Sequence, residues 1–233
     1  MQLFQIPFSH NCVKVRRALD LKGLAYETID INPARRGNVK RASGQELVPV
    51  LVEHGRPTAG STPILLEVEE RHPDPPLLPA DERERAECIV LMEWADAQLM
   101  ALTRRMAYFR VLSGSGADLG KLFFPSHPGA VQRVGGSTAA VILRRRFGIS
   151  GEQDRKDLEE AKRVAAVAVD RLGGEEHLVG EQLTLADITL AAMAAPLQYA
   201  EVAGDPSVRA LLDWSRGVMG DEFTPPQVRV AAA

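Results

Sequence analysis

Cysteine is nearly absent from this sequence: two in 233 residues, Cys12 and Cys88. Two thiols give no disulfide framework, and their scarcity suits a reducing compartment. No histidines and cysteines fall at metal-ligand spacing, which removes the small zinc modules. A basic excess is missing too. Lys and Arg number 28 against 31 Asp and Glu, a formal charge of −3, whereas nucleic-acid-binding domains usually carry a positive surplus. Long apolar runs are also lacking. The longest, around Leu185 to Leu197, is interrupted by Asp187, Thr189 and Pro196, and is too short and polar to span a bilayer. No basic-then-apolar leader precedes the first strand pattern, so export is not expected. What is left, 45% hydrophobic and 25% charged, is ordinary globular composition. The expectation is a soluble cytoplasmic protein with no nucleic-acid or membrane partner, long enough for one large domain or two small ones.

The first two dozen residues organise the chain. Gln2-Leu3-Phe4-Gln5-Ile6 alternates like a half-buried strand, and Pro7 and Ser9 break the pattern. From His10, apolar Cys12, Val15 and Leu19 recur at helical spacing, which places Lys14, Arg17 and Lys22 on the opposite side. The opening is therefore strand, tight turn, helix. The first N–H groups of such a helix lack internal partners and carry partial positive charge, so an anion is favoured there. Ser9 has two readings: a helix N-cap, or a hydroxyl aimed at that anion. Cys12 has two as well: a buried core thiol, or a nucleophile whose pKa falls in the first helical turn.

A second strand is expected over Ala25 to Ile31, which makes a parallel crossover unit. Ala34 to Gln45, with Arg35, Arg36, Lys40 and Arg41, reads as a loop or short helix with a solvated basic face or an anion-receiving rim. Val48 to Val52 reads as a strand whose Pro49 belongs at its start, with a Val48–Pro49 bond that can be cis. A free edge beside Val48 could pair main chain to main chain with an extended peptide. A hairpin turn follows at Glu53 to Arg56. Gly60-Ser61-Thr62-Pro63 then opens a helix whose bare N–H groups form a second anion-binding end.

Four prolines between Pro73 and Pro79 mark a boundary, with one domain over 1–76 and another over 77–233. Beyond it the pattern is helical. Asp81 is the expected N-cap of a helix with Cys88, Leu91, Met92, Ala95 and Leu99 inward. Ser137–Phe147, Gln153–Leu172 and a last helix from Asp205-Pro206 complete it, with Phe123-Phe124-Pro125 as a lone aromatic spot. Thr184 and Asp187 form a capping box before a helix apolar on nearly all sides, the core of this half.

Ser9-His10-Asn11-Cys12 before Val13-Lys14-Val15-Arg16, then Val48-Pro49, then Gly60-Ser61-Thr62, resembles the glutathione-binding half of cytosolic glutathione S-transferases. The Ser9-x-x-Cys12 spacing is also similar to the Cys-x-x-Cys of glutaredoxin. The run Leu178 to Ile188 resembles the capping-box motif of the transferases' all-helical domain, which glutaredoxin lacks. The resemblance implies an α/β thioredoxin-like domain followed by an all-α helical bundle, glutathione as cosubstrate and a homodimer. Carried over, Val48 would pair with the cysteinyl main chain of glutathione and Pro49 would hold that turn. Ser61 and the N–H of Thr62 would take the γ-glutamyl carboxylate, and Ser9 would donate to the sulfur. Met106, Tyr108 and Phe109 are candidates for an apolar wall beside the small electrophile. Two positions depart from the pattern: Gly60 stands where an acidic residue is common, and Asn11 where a proline is. Asp96 of a neighbouring subunit is one candidate for the missing carboxylate. Three readings follow from the resemblance: a transferase, a glutathione-dependent disulfide reductase working through Cys12, or a non-catalytic binding protein.

Overall fold

The computed structural model describes residues 1–32, 36–113 and 129–224. Four short strands form one sheet in the order β2-β1-β3-β4: β1 (Gln2–Gln5), β2 (Glu27–Asp30), β3 (Val50–Glu53) and β4 (Arg56–Ala59). β1 runs parallel to β2 and antiparallel to β3, and β3 pairs antiparallel with β4. The β3–β4 hairpin turns through His54 and Gly55, both at positive φ (47° and 77°), the conformation a tight two-residue hairpin needs. Pro57 sits in β4, an edge strand where a missing N–H is tolerated.

Period-two alternation divides the sheet's residues between two layers. Leu3 opposite Leu51 faces α1 (His10–Leu21) and α3 (Ser61–Arg71), joining Val15, Leu19, Ile64, Leu65 and Val68. Phe4 opposite Val50 faces the other way, onto Val39 of α2 (Gly37–Ser43). The helical half consists of α4 (Glu82–Ser113), α5 (Gly129–Phe147), α6 (Gly151–Leu172), α7 (Leu185–Ala194) and α8 (Pro206–Met219). Every residue of α7 is buried, and the capping box at its start forms as expected. Asp187 accepts from the Thr184 N–H (2.7 Å) and hydroxyl (2.8 Å), and from the Leu178 N–H (2.7 Å). Asp81, Ser150 and Asp205 cap α4, α6 and α8, each accepting a backbone N–H at the helix start. Among the described residues no helix is long and apolar enough to cross a membrane.

α1 departs most from expectation. It lies between the sheet and α7 and is covered on both sides, so Lys14 and Lys22 are buried rather than solvated. Lys22 Nζ donates to the carbonyls of His72 and Pro75 (2.7 Å each) and pairs with Glu69 at 2.7 Å. Glu69 in turn accepts from the N–H groups of Leu77 and Leu78 (3.0 and 3.2 Å). The proline-rich connection is thereby fastened to α1 and α3. Arg16 pairs with Glu222 near the end of the described chain and donates to Gln5 Oε1 at 2.5 Å. α5 begins at Gly129, ahead of the expected Ser137, and Phe123 to Pro125 lie outside the described residues.

Candidate functional site

Ser9 occupies the position before α1 in extended backbone (φ −74°, ψ 120°), and its hydroxyl makes no bond to the helix's N–H groups. α1 has no acidic residue in its first turn, and neither has α3. Neither helix therefore sets an acidic side chain of its own against the positive end of its dipole. The two starts lie side by side. Ser61 Oγ donates to Asn11 Oδ1 at 3.2 Å, and Lys14 Nζ donates to Thr62 Oγ1 at 3.1 Å. The Gly60 N–H donates to the Pro49 carbonyl at 3.0 Å, drawing the cis Val48–Pro49 peptide against the same helix start. Ser9, Val48, Pro49, Ser61 and Thr62 thus converge on one end of the sheet.

Val48 requires a correction. The sequence reading puts it on a free strand edge, whereas the strand begins at Val50 and β3 is an interior strand flanked by β1 and β4. Val48 lies in the bend ahead of it, outside the ladder. Of the two readings of Cys12, the structure matches the buried core thiol and not the nucleophile. The residue has no exposed surface, and burial pushes its thiol up to about 11, outweighing the Ile6 backbone, the Ser9 hydroxyl and the Arg16 charge. A thiol so held stays protonated at neutral pH and is a poor nucleophile. Cys88, also fully buried, has its pKa raised by burial as well.

Asp96 belongs to this chain's own network and need not come from a neighbour. Lys14 Nζ donates to both its oxygens (2.9 and 3.0 Å), and Thr62 Oγ1 donates to Oδ2 at 2.7 Å. A fully buried lysine, a threonine at the start of α3 and a carboxylate from α4 thus join the two halves directly beneath the paired helix starts. Burial lowers the Lys14 pKa, and Asp96 opposes that shift. Gly60 has a local reason to be glycine. Its φ of +95° is a backbone region nearly closed to other residues, and a Cβ there would meet Pro63 Cδ at 3.4 Å. An acidic side chain at this position would cost backbone strain.

Of the expected apolar wall, Met106 turns into the main core. Tyr108 and Phe109 pack in a separate cluster with Leu112, Leu143, Phe147 and Ile149, and Tyr108 stacks on Phe147 at 5.2 Å and 16°. His10, Arg104 and Phe147 gave no sequence signal of their own. The His10 ring nitrogen Nε2 is buried without a partner, and burial with the charges of Arg104 and Lys14 holds its pKa near about 3.

This architecture defines a class: a thioredoxin-like domain with two helix starts side by side at one end of its sheet, docked on a helical domain. The comparisons agree. Residues 3–76 match the family model for the glutathione S-transferase N-terminal domain, and residues 136–222 that for the C-terminal domain. The chain belongs to the glutathione S-transferase family. It is similar to glutathione S-transferase Z2 of Arabidopsis thaliana, 36% identical over 77 residues, 31% of this chain and 34% of the relative. It is 30% identical over 122 residues to a maleylpyruvate isomerase of a Ralstonia species, 49% of this chain and 57% of that protein. These matches thus span between a third and rather over half of the relatives' length. A glutathione S-transferase of Methylobacterium radiotolerans, solved with glutathione sulfonate, superposes with a TM-score of 0.61 at 25% identity, covering 95% of this chain and 92% of that one.

Proposed function

We propose that the chain is a glutathione-dependent transferase in which the tripeptide lies across the two helix starts with its sulfur at Ser9. The observation that carries this reading is the Asn11–Ser61 bond, which sets two uncapped helix ends side by side. An elongated ligand with a carboxylate at one point and a sulfur anion at another suits such a pair. The γ-glutamyl carboxylate takes the Ser61 and Thr62 N–H groups, with the Ser61 hydroxyl turning to it from Asn11, and the cysteinyl main chain runs past Val48, which lies ahead of the ladder that begins at Val50. The sulfur then meets the Ser9 hydroxyl and the start of α1. Stabilising thiolate over thiol lowers the pKa, and the thiolate is the nucleophile. The sulfur pair forms a bond to an electrophilic carbon, the leaving group departs with its own pair, and the thiol proton has already passed to solvent.

A second reading has one specific support, the 30% identity to a maleylpyruvate isomerase. In it the same thiolate adds to a conjugated double bond, rotation occurs, and elimination returns glutathione unchanged. Both readings use Ser9 and leave Cys12 idle. Ser9→Ala is expected to raise the pKa of bound glutathione by about one to two units and to slow turnover roughly 10–100-fold, the loss of one charge-assisted hydrogen bond. Cys12→Ser should leave turnover within about twofold. The reverse pattern would transfer the chemistry to Cys12 and a disulfide reductase. Glutathione binding with no acceleration of any electrophile, isomerisation or disulfide would leave a binding protein.

A further inference from the structure

Asp96, Met100, Arg104 and Tyr108 follow one another at four-residue spacing and so share one face of α4. That face looks onto the amino-terminal half. Asp96 bonds Lys14 of α1 and Thr62 of α3, the charge of Arg104 acts on His10 beside Ser9, and Tyr108 feels the charge of Arg36 ahead of α2. Phe147, the last residue of α5, closes over this face, its ring stacked on Tyr108. The guanidinium carbons of Arg104 and Arg146 each lie 5.8 Å from the centre of the Phe147 ring.

Several arginines elsewhere are matched to carboxylates: Arg16 to Glu222, Arg71 to Glu53, Arg105 to Asp157, Arg163 to Glu160. Arg104 follows from the same helix as Arg105 yet, like Arg146, has neither carboxylate nor hydrogen-bond partner among the described residues. The charges acting on the Tyr108 phenol are those of Arg104, Arg36 and Arg146, three cations. Like charges gathered on one face repel, and an anion between them relieves that repulsion. A planar fork of N–H donors fits a carboxylate two bonds at a time, and a stacked aromatic slab beside it favours a flat body.

We propose that Arg104 and Arg146, with Tyr108 and Phe147, form the acceptor subsite for a small, flat electrophile bearing a carboxylate. The inference rests on the reading that glutathione sulfur lies at Ser9, next to His10. A chlorodinitrobenzoate and its uncharged methyl ester are suitable probes. With glutathione, thiolate sulfur bonds to the ring carbon and chloride leaves with the carbon–chlorine pair.

The test is binding of both probes by calorimetry to the protein saturated with S-methylglutathione, which cannot react. The acid should bind at least about tenfold tighter than the ester. Arg104→Gln should bring that preference close to one, and Arg104→Lys should restore part of it. Equal affinities for acid and ester, or a preference that survives in Arg104→Gln, would overturn the subsite. So would a loss of S-methylglutathione affinity in Arg104→Gln as large as the loss for the acid, because the arginine would then serve glutathione. Failure of the thiol reading shows up separately, as absence of S-methylglutathione binding to the unsubstituted protein. The acid-to-ester preference is still measurable without it.

Discussion

His10 and Cys12 share the first turn of α1, and burial moves their pKa values in opposite directions, about 3 for the imidazole and about 11 for the thiol. Both shifts favour the neutral form, as expected where charge is desolvated. The histidine carries a consequence for stability. Its folded pKa lies below the unfolded value of about 6.5, so the unfolded chain binds more protons between the two. The stability contributed by neutral His10 is whole above about pH 6.5 and is lost as pH falls towards about 3, by up to ~1.4 kcal/mol per pH unit. Urea midpoints of the protein and of His10→Gln, followed between these limits, should diverge with the parent falling more steeply. Parallel curves would mean that the ring is solvated. Cys12 was readable from the sequence as a core thiol, since it falls in register with Val15 and Leu19. The fixed need for glycine at position 60 was not, because a positive φ leaves no mark on neighbouring side chains.

At the scale of elements, legibility followed how many sides of a helix are covered. α7 is apolar all round and sits in the core, and the Thr184–Asp187 pair announced its start. α1 was read as having one apolar face. Its second face is covered through charges whose partners are far away in sequence: Asp96 lies 82 residues from Lys14, and Glu222 lies 206 from Arg16. Local periodicity holds no trace of such pairs. α5 was legible only from Ser137 on, since Val131 and Val134 in its first part are exposed and follow no core-facing stripe. The Lys14–Asp96 pair gives a test of this sandwiching. Lys14→Met leaves a largely buried carboxylate without its cation and should cost roughly 3–5 kcal/mol in urea unfolding. Removing both charges, as in Lys14→Met with Asp96→Leu, should recover part of that loss. A cost below about 1 kcal/mol for the single change would show that the pair is solvated.

For the whole molecule, one continuous core runs from Leu3 and Leu51 through α1 to α7 and α8. Lys14 and Arg16 act as buried bolts between the halves, through Asp96 and Glu222, so the paired helix starts and the α4–α5 wall are held in fixed relation. The proline cluster between Pro73 and Pro79 was visible in the sequence, but its fastening by Lys22 and Glu69 was not, because it depends on backbone carbonyls and N–H groups. We also propose the homodimer that family membership suggests. Light scattering at micromolar concentration should return twice the 25.4 kDa chain mass, and a mass of one chain would remove that part of the account. The central claim, an anionic sulfur held at Ser9, is tested most directly by ultraviolet titration of the glutathione complex. The account predicts a bound thiolate that persists about one to two pH units lower than in Ser9→Ala. Identical titrations for the two proteins would contradict it.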